Sequence, residues 1–506
     1  MRRSIRRSLF HYFVAGTICA ALGGVGACRP YDCNDYVTCE PPPPCEPDPA
    51  VAPAEDRCGV FVSESLGSDE SPGNRAQPVR SMERAIALAR VGPMRVYACA
   101  EVFLDPMTLP AGVELWGGLD CSKEWSYLGG DRKTVVAPVA DMVPLRVEAG
   151  SGSSLVADVR VEAADAVAPS ASSIAMMVMP GARVEIFRSQ LVAGNGAPGA
   201  DGEDGSSVPA QAGTPGASGG NACSADVVPG GETVIASCAS SVSIGGQGGL
   251  GDLTVGGEGL EGQPVPVPNP LGSGLGGTGE SGAALCTLGA NGAEGADGAD
   301  GSGADGPGRI SLLGWEGERG KDGGDGVPGQ GGGGGGGTRG GATLCGNGQV
   351  RGGAGGGSGG AGGCGGKGGK GGGYGGASVG LVSLGAEVVV RSTTIVSGNG
   401  GAGGRGGFRQ AGNVGGPGGA GGHAFNLAMP GCNGGLGGKG GDGGYGGGGQ
   451  GGPSIGIAHL LGHPVTQEDV TTHIGMAGTG GLGGNPVLPG SAGADGVHSD
   501  LLTFPQ

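Results

Sequence analysis

His459 and His463 stand four residues apart, with Glu468, Asp469 and His473 close behind, a set of imidazoles and carboxylates from which a zinc site could be built. A helix would align the two histidines, but Gly462 and Pro464 oppose one, and Leu460 stands where a metalloprotease motif has its glutamate. Two histidines at a strand edge are the plainer expectation, and no metal site is assigned. Asp158, Arg160, Glu162, Arg183, Glu185 and Arg188 fall at alternating positions of β-patterned stretches. Paired carboxylates, or a base beside acids, are what polysaccharide cleavage needs, yet alternating charge is also what the solvated face of a sheet shows. Trp116, Trp125 and Trp315 are the only tryptophans available to stack on sugar rings, which counts against cleavage. Asp297, Asp300 and Asp305, and Asp322 with Asp325, lie in glycine triplets and make calcium a candidate ligand, although the nonapeptide that winds a calcium-bound β-roll is missing. No other cofactor and no catalytic residue is expected. G-x-G-x-x-G recurs here through sheer glycine density, and Gly366-Lys367-Gly368 lacks the Ser or Thr of a phosphate loop.

The elements that must carry these groups are unusual. Glycine supplies 128 of 506 residues and proline 34, while aromatics are 4 % and charged residues 15 %. Burial must outweigh roughly 1 to 2 kcal/mol of backbone entropy per residue, and more for glycine, so a conventional core of this size cannot be built. The architecture must be thin, repetitive or partly unordered. A formal charge of -17 argues against nucleic acid as a partner.

Arg2, Arg3, Arg6 and Arg7 precede a mostly apolar stretch from Leu9 to Leu22, and Val25-Gly26-Ala27 leads into Cys28. This is the layout of a bacterial lipoprotein signal, with Cys28 as the lipidated residue and the membrane as a partner through that lipid; an ordinary secretory signal cut after Ala27 is the alternative. Arg29 stands where an Asp would retain such a protein in an inner membrane, so the expected address is the outer membrane or cell surface. Cys33, Cys39, Cys45, Cys58, Cys99, Cys121, Cys223, Cys238, Cys286, Cys345, Cys364 and Cys432 are then an even set of disulfide candidates in an oxidising compartment, with unreadable connectivity.

Residues 1–27 read as the signal peptide and 28–57 as a Cys/Pro-rich tether. From Cys58 the pattern changes: Gly59–Val62 reads as a strand, and Ser81 can cap a helix from Met82 to Arg90 with Met82, Ala85, Ile86 and Ala89 on one face. Strands Arg95–Cys99 and Glu114–Gly118 follow, and Cys99 and Cys121 lie about one solenoid turn apart. Turn, short helix, then β segments at coil spacing are the order of a solenoid with an N-terminal cap. The runs Gly67-Ser68-Asp69, Pro72-Gly73, Pro78–Ser81, Leu109–Val113 and Trp116-Gly117-Gly118 resemble the opening of extracellular pectate-lyase-like domains of the DUF1565 type. The resemblance covers residues 59 to 195 and implies an all-β fold, a right-handed parallel β-helix; many such proteins cleave polysaccharide and many are adhesins.

An internal repeat supports this. Gly181 to Gly196 aligns without gaps on Gly385 to Gly400, and Gly375–Leu381 on Gly451–Ile457. The expected organisation is N-terminal coils at 58–195, glycine-rich repeats at 196–375, a coil repeat at 376–400, glycine-rich repeats at 401–452, and a final coil repeat and tail at 453–506. With the lipoprotein signal, the glycine-rich parts are similar to PGRS-like surface proteins. Such glycine density can only pack backbone on backbone or stay solvated, so three-residue-per-turn polyglycine helices, disorder and collagen-like trimers are all open. The expected function is that of a lipid-anchored, non-catalytic structural or adhesive surface protein meeting extracellular polysaccharide or matrix. A β-helix carbohydrate-active enzyme and a cation- or ice-binding polyglycine module are the alternatives.

Overall fold

The computed structural model describes residues 44–506 apart from 47, 240 and 347. Residues 46–506 form one compact unit; of the preceding unit only Pro44 and Cys45 are described. The expected signal segment, Cys28, Cys33 and Cys39 lie outside the described residues. No helix among those described is long and apolar enough to cross a membrane.

The regular elements are mostly strands in parallel sheets, with little helix. Strand β1 (Val60–Val62) precedes helix α1 (Met82–Arg90), followed by β2 (Arg95–Cys99), β3 (Val102–Phe103), β4 (Met107–Leu109), β5 (Glu114–Asp120), β6 (Ser126–Tyr127) and β7 (Thr134–Val136). Then come β8 (Leu145–Val147), β9 (Ser154–Ala157), β10 (Val159–Ala163), β11 (Ser173–Val178), β12 (Arg183–Phe187) and β13 (Gln190–Ala193). The hairpins β14 (Val234–Cys238) with β15 (Ser241–Gly245) and β16 (Arg309–Ser311) with β17 (Gly314–Glu316) are antiparallel and precede the single turn α2 (Ala342–Cys345). Strands β18 (Ser378–Ser383), β19 (Glu387–Ser397), β20 (Ser454–Leu460), β21 (Thr466–Ile474) and β22 (His498–Phe504) complete the set.

Two sheets dominate, and nearly all their pairings are parallel. The larger carries the path β1-β2-β5-β9-β12-β19-β13-β10-β7-β3, with β21 on β19 and β6 on β5; the smaller runs β22-β20-β18-β11-β8-β4. Alternate residues such as Val184, Ile186, Val388, Val390, Met176 and Leu381 fill one core between them. Helix α1 covers one end of that core with Met82, Ala85, Ile86 and Ala89, and Ser81 caps it by accepting the Arg84 N–H, as its spacing predicts. The sequence repeat is the pairing register itself: Arg183 lies opposite Glu387 and Leu191 opposite Ile395, while Val379 lies opposite Ile455.

The chain crosses repeatedly from the larger sheet to the smaller. Early crossings are short, residues 104–106, 137–144 and 164–172; later ones at the same place are 194–377, 398–453 and 475–497. The long crossings are ordered. Gly199, Gly202 and Gly205 donate to Ala402, Arg405 and Phe408, and Gly360, Gly363, Gly366 and Gly369 donate to Gly435, Gly438, Gly441 and Gly444. This step of three is the period of extended, polyproline-II-type backbone. At ~3.1 Å per residue, the 351–377 segment spans about 80 Å.

Glycine density follows the number of neighbours. Every amide from Gly352 to Cys364 donates a hydrogen bond inside the protein, because chain surrounds this segment on all sides. Between Gly295 and Gly301, at the bundle's flank, only Gly295, Gly298 and Gly301 donate, and the sequence there is Gly-x-Asp or Gly-x-Glu triplets. Away from turns these glycines keep ordinary φ values. They are needed for room: a Cβ at Gly359 would stand from the Gly332 carbonyl oxygen at about half the 3.5–4.0 Å of ordinary non-bonded contact.

Candidate functional surface

The charged positions singled out on the strands are taken up in ion pairs, with each other or with charged residues of β19. Arg160 pairs with Glu162 at 2.7 Å, Arg183 with Glu387 at 3.0 Å, and Arg391 with Glu185 and Glu468, each at 2.9 Å. The first lies along β10 and the others across neighbouring parallel strands; all are partly exposed, as on a solvated face. Trp116, Trp125 and Trp315 are each 3 % exposed, so none offers a ring to a sugar.

Asp158 and Arg188 differ from this pattern. Both adopt left-handed backbone, φ 56° and 44°, at bends repeated by Ser392 in β19 and Asp469 in β21. Asp158 is fully buried; its carboxylate accepts from Arg188 at 2.8 Å and from the Tyr127 hydroxyl at 2.8 Å. Arg188 also grips Asp48 through two bonds of 2.8 Å, which fastens the end of the Pro-rich stretch to the sheet; Ala54 nearby is buried. Burial, reinforced by its bond to Asp158, pushes the Tyr127 phenol up to about 12. The bonds to Asp48 and Asp158 hold Arg188 charged against a desolvation cost. Arg188→Ala would leave Asp158 buried without its cation, and removal of one partner of a buried pair costs about 3 kcal/mol or more. Denaturant unfolding should show that loss, with Arg160→Ala changing stability by under ~1 kcal/mol.

The histidines do not converge. His459 is buried and bonded to Thr503 and the Leu460 carbonyl at 3.0 Å each, and His473 is exposed on β21. Among the described residues no three His, Cys, Asp or Glu side chains lie together as metal ligands would.

The aspartates of the glycine triplets have a role that sequence reasoning missed. The Gly298 N–H donates to the Asp442 carbonyl, and Asp297 accepts the Asp442 N–H in return at 2.7 Å. Asp300 with Tyr445, Asp201 with Arg405, Asp204 with Phe408, Asn195 with Asn399 and Asn291 with Leu436 repeat the exchange. An Asx immediately before the triplet glycine is thus a backbone pin, and the recurring Asx-Gly pairs were its signal. Asp322 and Asp325 instead close an open flank, accepting from Gly371 and Gly368 and pairing with Lys370 and Lys367. Asp305 is exposed.

These pins set an acid limit. The Phe408 N–H holds Asp204 below its usual range, the Gly371 N–H does so for Asp322, and Lys367 for Asp325. A depressed carboxylate contributes stability that is complete above the unfolded value, near 3.8, and lost as pH falls through the lower folded value. Protection factors of amides in the bundle, corrected for the pH dependence of intrinsic exchange, should therefore fall below about pH 4. Asp297→Asn keeps the acceptor and should be near neutral, whereas Asp297→Ala should cost about 1 kcal/mol in thermal unfolding.

Disulfides staple the bundle: Cys223–Cys345, Cys238–Cys364 and Cys286–Cys432 join segments far apart in sequence, while Cys99–Cys121 joins the ends of the paired strands β2 and β5. Cys45 and Cys58 are also disulfide-bonded. The Cys223–Cys345 staple sits at the end of the bundle remote from the sheets, in a small core with Ala222, Ala354 and Ala428. There Leu285, Leu288, Phe425 and Leu427 are more than half exposed, beside a shallow hollow lined by Met429, Pro430 and Cys432. This tip and the triplet side chains along the flanks are surfaces the fold offers for contact.

No family model, curated protein or solved structure matches this chain.

Proposed function

We propose that the chain is an exported, lipid-anchored and non-catalytic surface protein. Its body is a right-handed parallel β-helix whose crossings between two sheets have grown into a bundle of polyglycine-type helices. The lipid on Cys28 would hold it at the outer membrane or cell surface, and the bundle would be presented to polysaccharide, matrix polymers or another cell. One observation carries this reading: the long crossings replace short ones at the same place and run side by side as a stapled array about 80 Å long. An array pinned by main-chain bonds at every third residue spends its sequence on rigid reach, and leaves few side chains for a reactive centre. The mutual pairing of the charged strand residues favours the same reading over polysaccharide cleavage.

The test is a retention and product-release screen of the mature, oxidised chain against a polysaccharide panel with calcium present. Retention without released product is expected; released product would overturn the reading. The anchor is tested separately by fatty-acid labelling in cells, which Cys28→Ala should abolish.

A further inference from the structure

Segment 475–485 lies in the groove between segments 398–423 and 430–453. On one side Gly400, Gly403 and Gly406 donate to the carbonyls of Met476, Thr479 and Leu482. On the other, Gly478, Gly481 and Gly484 donate to Gly452, Gly449 and Gly446 at 2.8–2.9 Å. After Asn485 the chain turns away, but the two walls of the groove continue. Arg409 stands at the next step of three; at the step after it Asp442 accepts the Gly412 N–H at 3.0 Å, and Asn433 closes the far end by accepting the Gly421 N–H at 2.8 Å. Between these side-chain caps the N–H groups of Gly415 and Gly418 and the carbonyls of Gly437 and Gly434 have no hydrogen-bond partner among the described residues, and all four glycines are part-exposed.

We propose that this stretch is a docking track for an extended segment of a partner polypeptide with glycine at every third residue. The register is already set by the chain's own segment upstream: the occupant would run parallel to 398–423, donate to Gly437 and Gly434, and accept from Gly415 and Gly418. Its composition is set by space, since Gly478, Gly481 and Gly484 have no room for a Cβ against the carbonyls of Gly401, Gly404 and Gly407. This is strand addition transposed to a three-residue period, with main-chain bonds giving affinity and the glycine spacing giving selectivity. It names a partner class for the surface protein proposed above but rests on bundle geometry alone, so it can fail while polysaccharide retention stands.

The probe is a labelled synthetic peptide copying residues 475–485, titrated into the intact oxidised chain, with a control in which the residues matching Gly478, Gly481 and Gly484 are alanine. Saturable binding is expected, weakened at least about tenfold by the alanines. Bound peptide should also slow amide exchange at Gly415 and Gly418. No saturable binding up to about 1 mM, equal binding of the alanine peptide, or protection confined to other residues would each overturn the proposal.

Discussion

Gly359→Ala should disrupt the bundle, at a cost of about 4 kcal/mol or more, at the top of the range for single substitutions. The new methyl would overlap the Gly332 carbonyl oxygen, and neither backbone can retreat. Gly356, one triplet earlier, donates to Gly249, and its neighbours Gly357 and Ser358 donate to two further segments, Cys432 and Ala217. A shift that relieved the overlap would therefore break main-chain bonds on other faces, unlike overpacking in an ordinary core, where side chains change rotamer for about 1–3 kcal/mol. Gly130→Ala is the control. A Cβ there meets nothing within 4 Å and φ lies outside the left-handed region, so the change should be neutral or slightly stabilising. Calorimetry on both variants, with amide exchange across 351–377, checks the contrast. A Gly359→Ala protein with unchanged melting and exchange would mean that the segments are not packed backbone on backbone.

Removal of the Cys286–Cys432 bridge by Cys286→Ser with Cys432→Ser should cost about 4–5 kcal/mol, given the chain-entropy model for loops of this length. The bridge closes a separation of 146 residues, and Cys238–Cys364 closes 126. Such long loops weigh heavily here because the bundle gains little from apolar side chains: its interior is Gly, Ala and Ser, and the large buried residues lie between the sheets and under the β16–β17 hairpin. Reduction of the intact protein should therefore loosen the bundle before the sheets. Exchange under reducing conditions would rise in 286–307 and 431–452 while Val184, Leu191 and Met176 stay protected; uniform loss across both regions would contradict this order.

Much of the sheet body was legible in the sequence. Helix α1 declared itself by its Ser81 cap and apolar spacing, and the repeats of 181–196 and 375–381 gave both strands and register, because parallel strands stacked in register place like residues on like. The bundle was legible only as a choice among order, disorder and trimers. Glycine has no side chain with which to signal burial, so Gly332 in the interior and Gly282 at an open turn look alike. The decisive pattern was one level up: runs such as Gly331–Gly337 mark segments enclosed on all sides, and Gly-x-Asp triplets such as 295–301 mark those with neighbours, here 321–327 and 439–445, on only part of their circumference. Arg160, Glu162, Arg183 and Glu185 do lie at alternating strand positions, but Glu387 and Arg391, the partners of Arg183 and Glu185, come from β19 about 200 residues away, beyond what strand periodicity shows. Asp158 and Arg188 gave no local sign of their bend, since left-handed backbone at an Arg has no sequence signature.

The most direct test of the central claim is residue-resolved amide exchange on the intact, oxidised chain. An ordered backbone-packed bundle predicts continuous protection from Gly352 to Cys364, and protection of one amide in three, at Gly295, Gly298 and Gly301, along the flank. Exchange at unprotected rates throughout both segments, or protection with no threefold pattern at the flank, would contradict it.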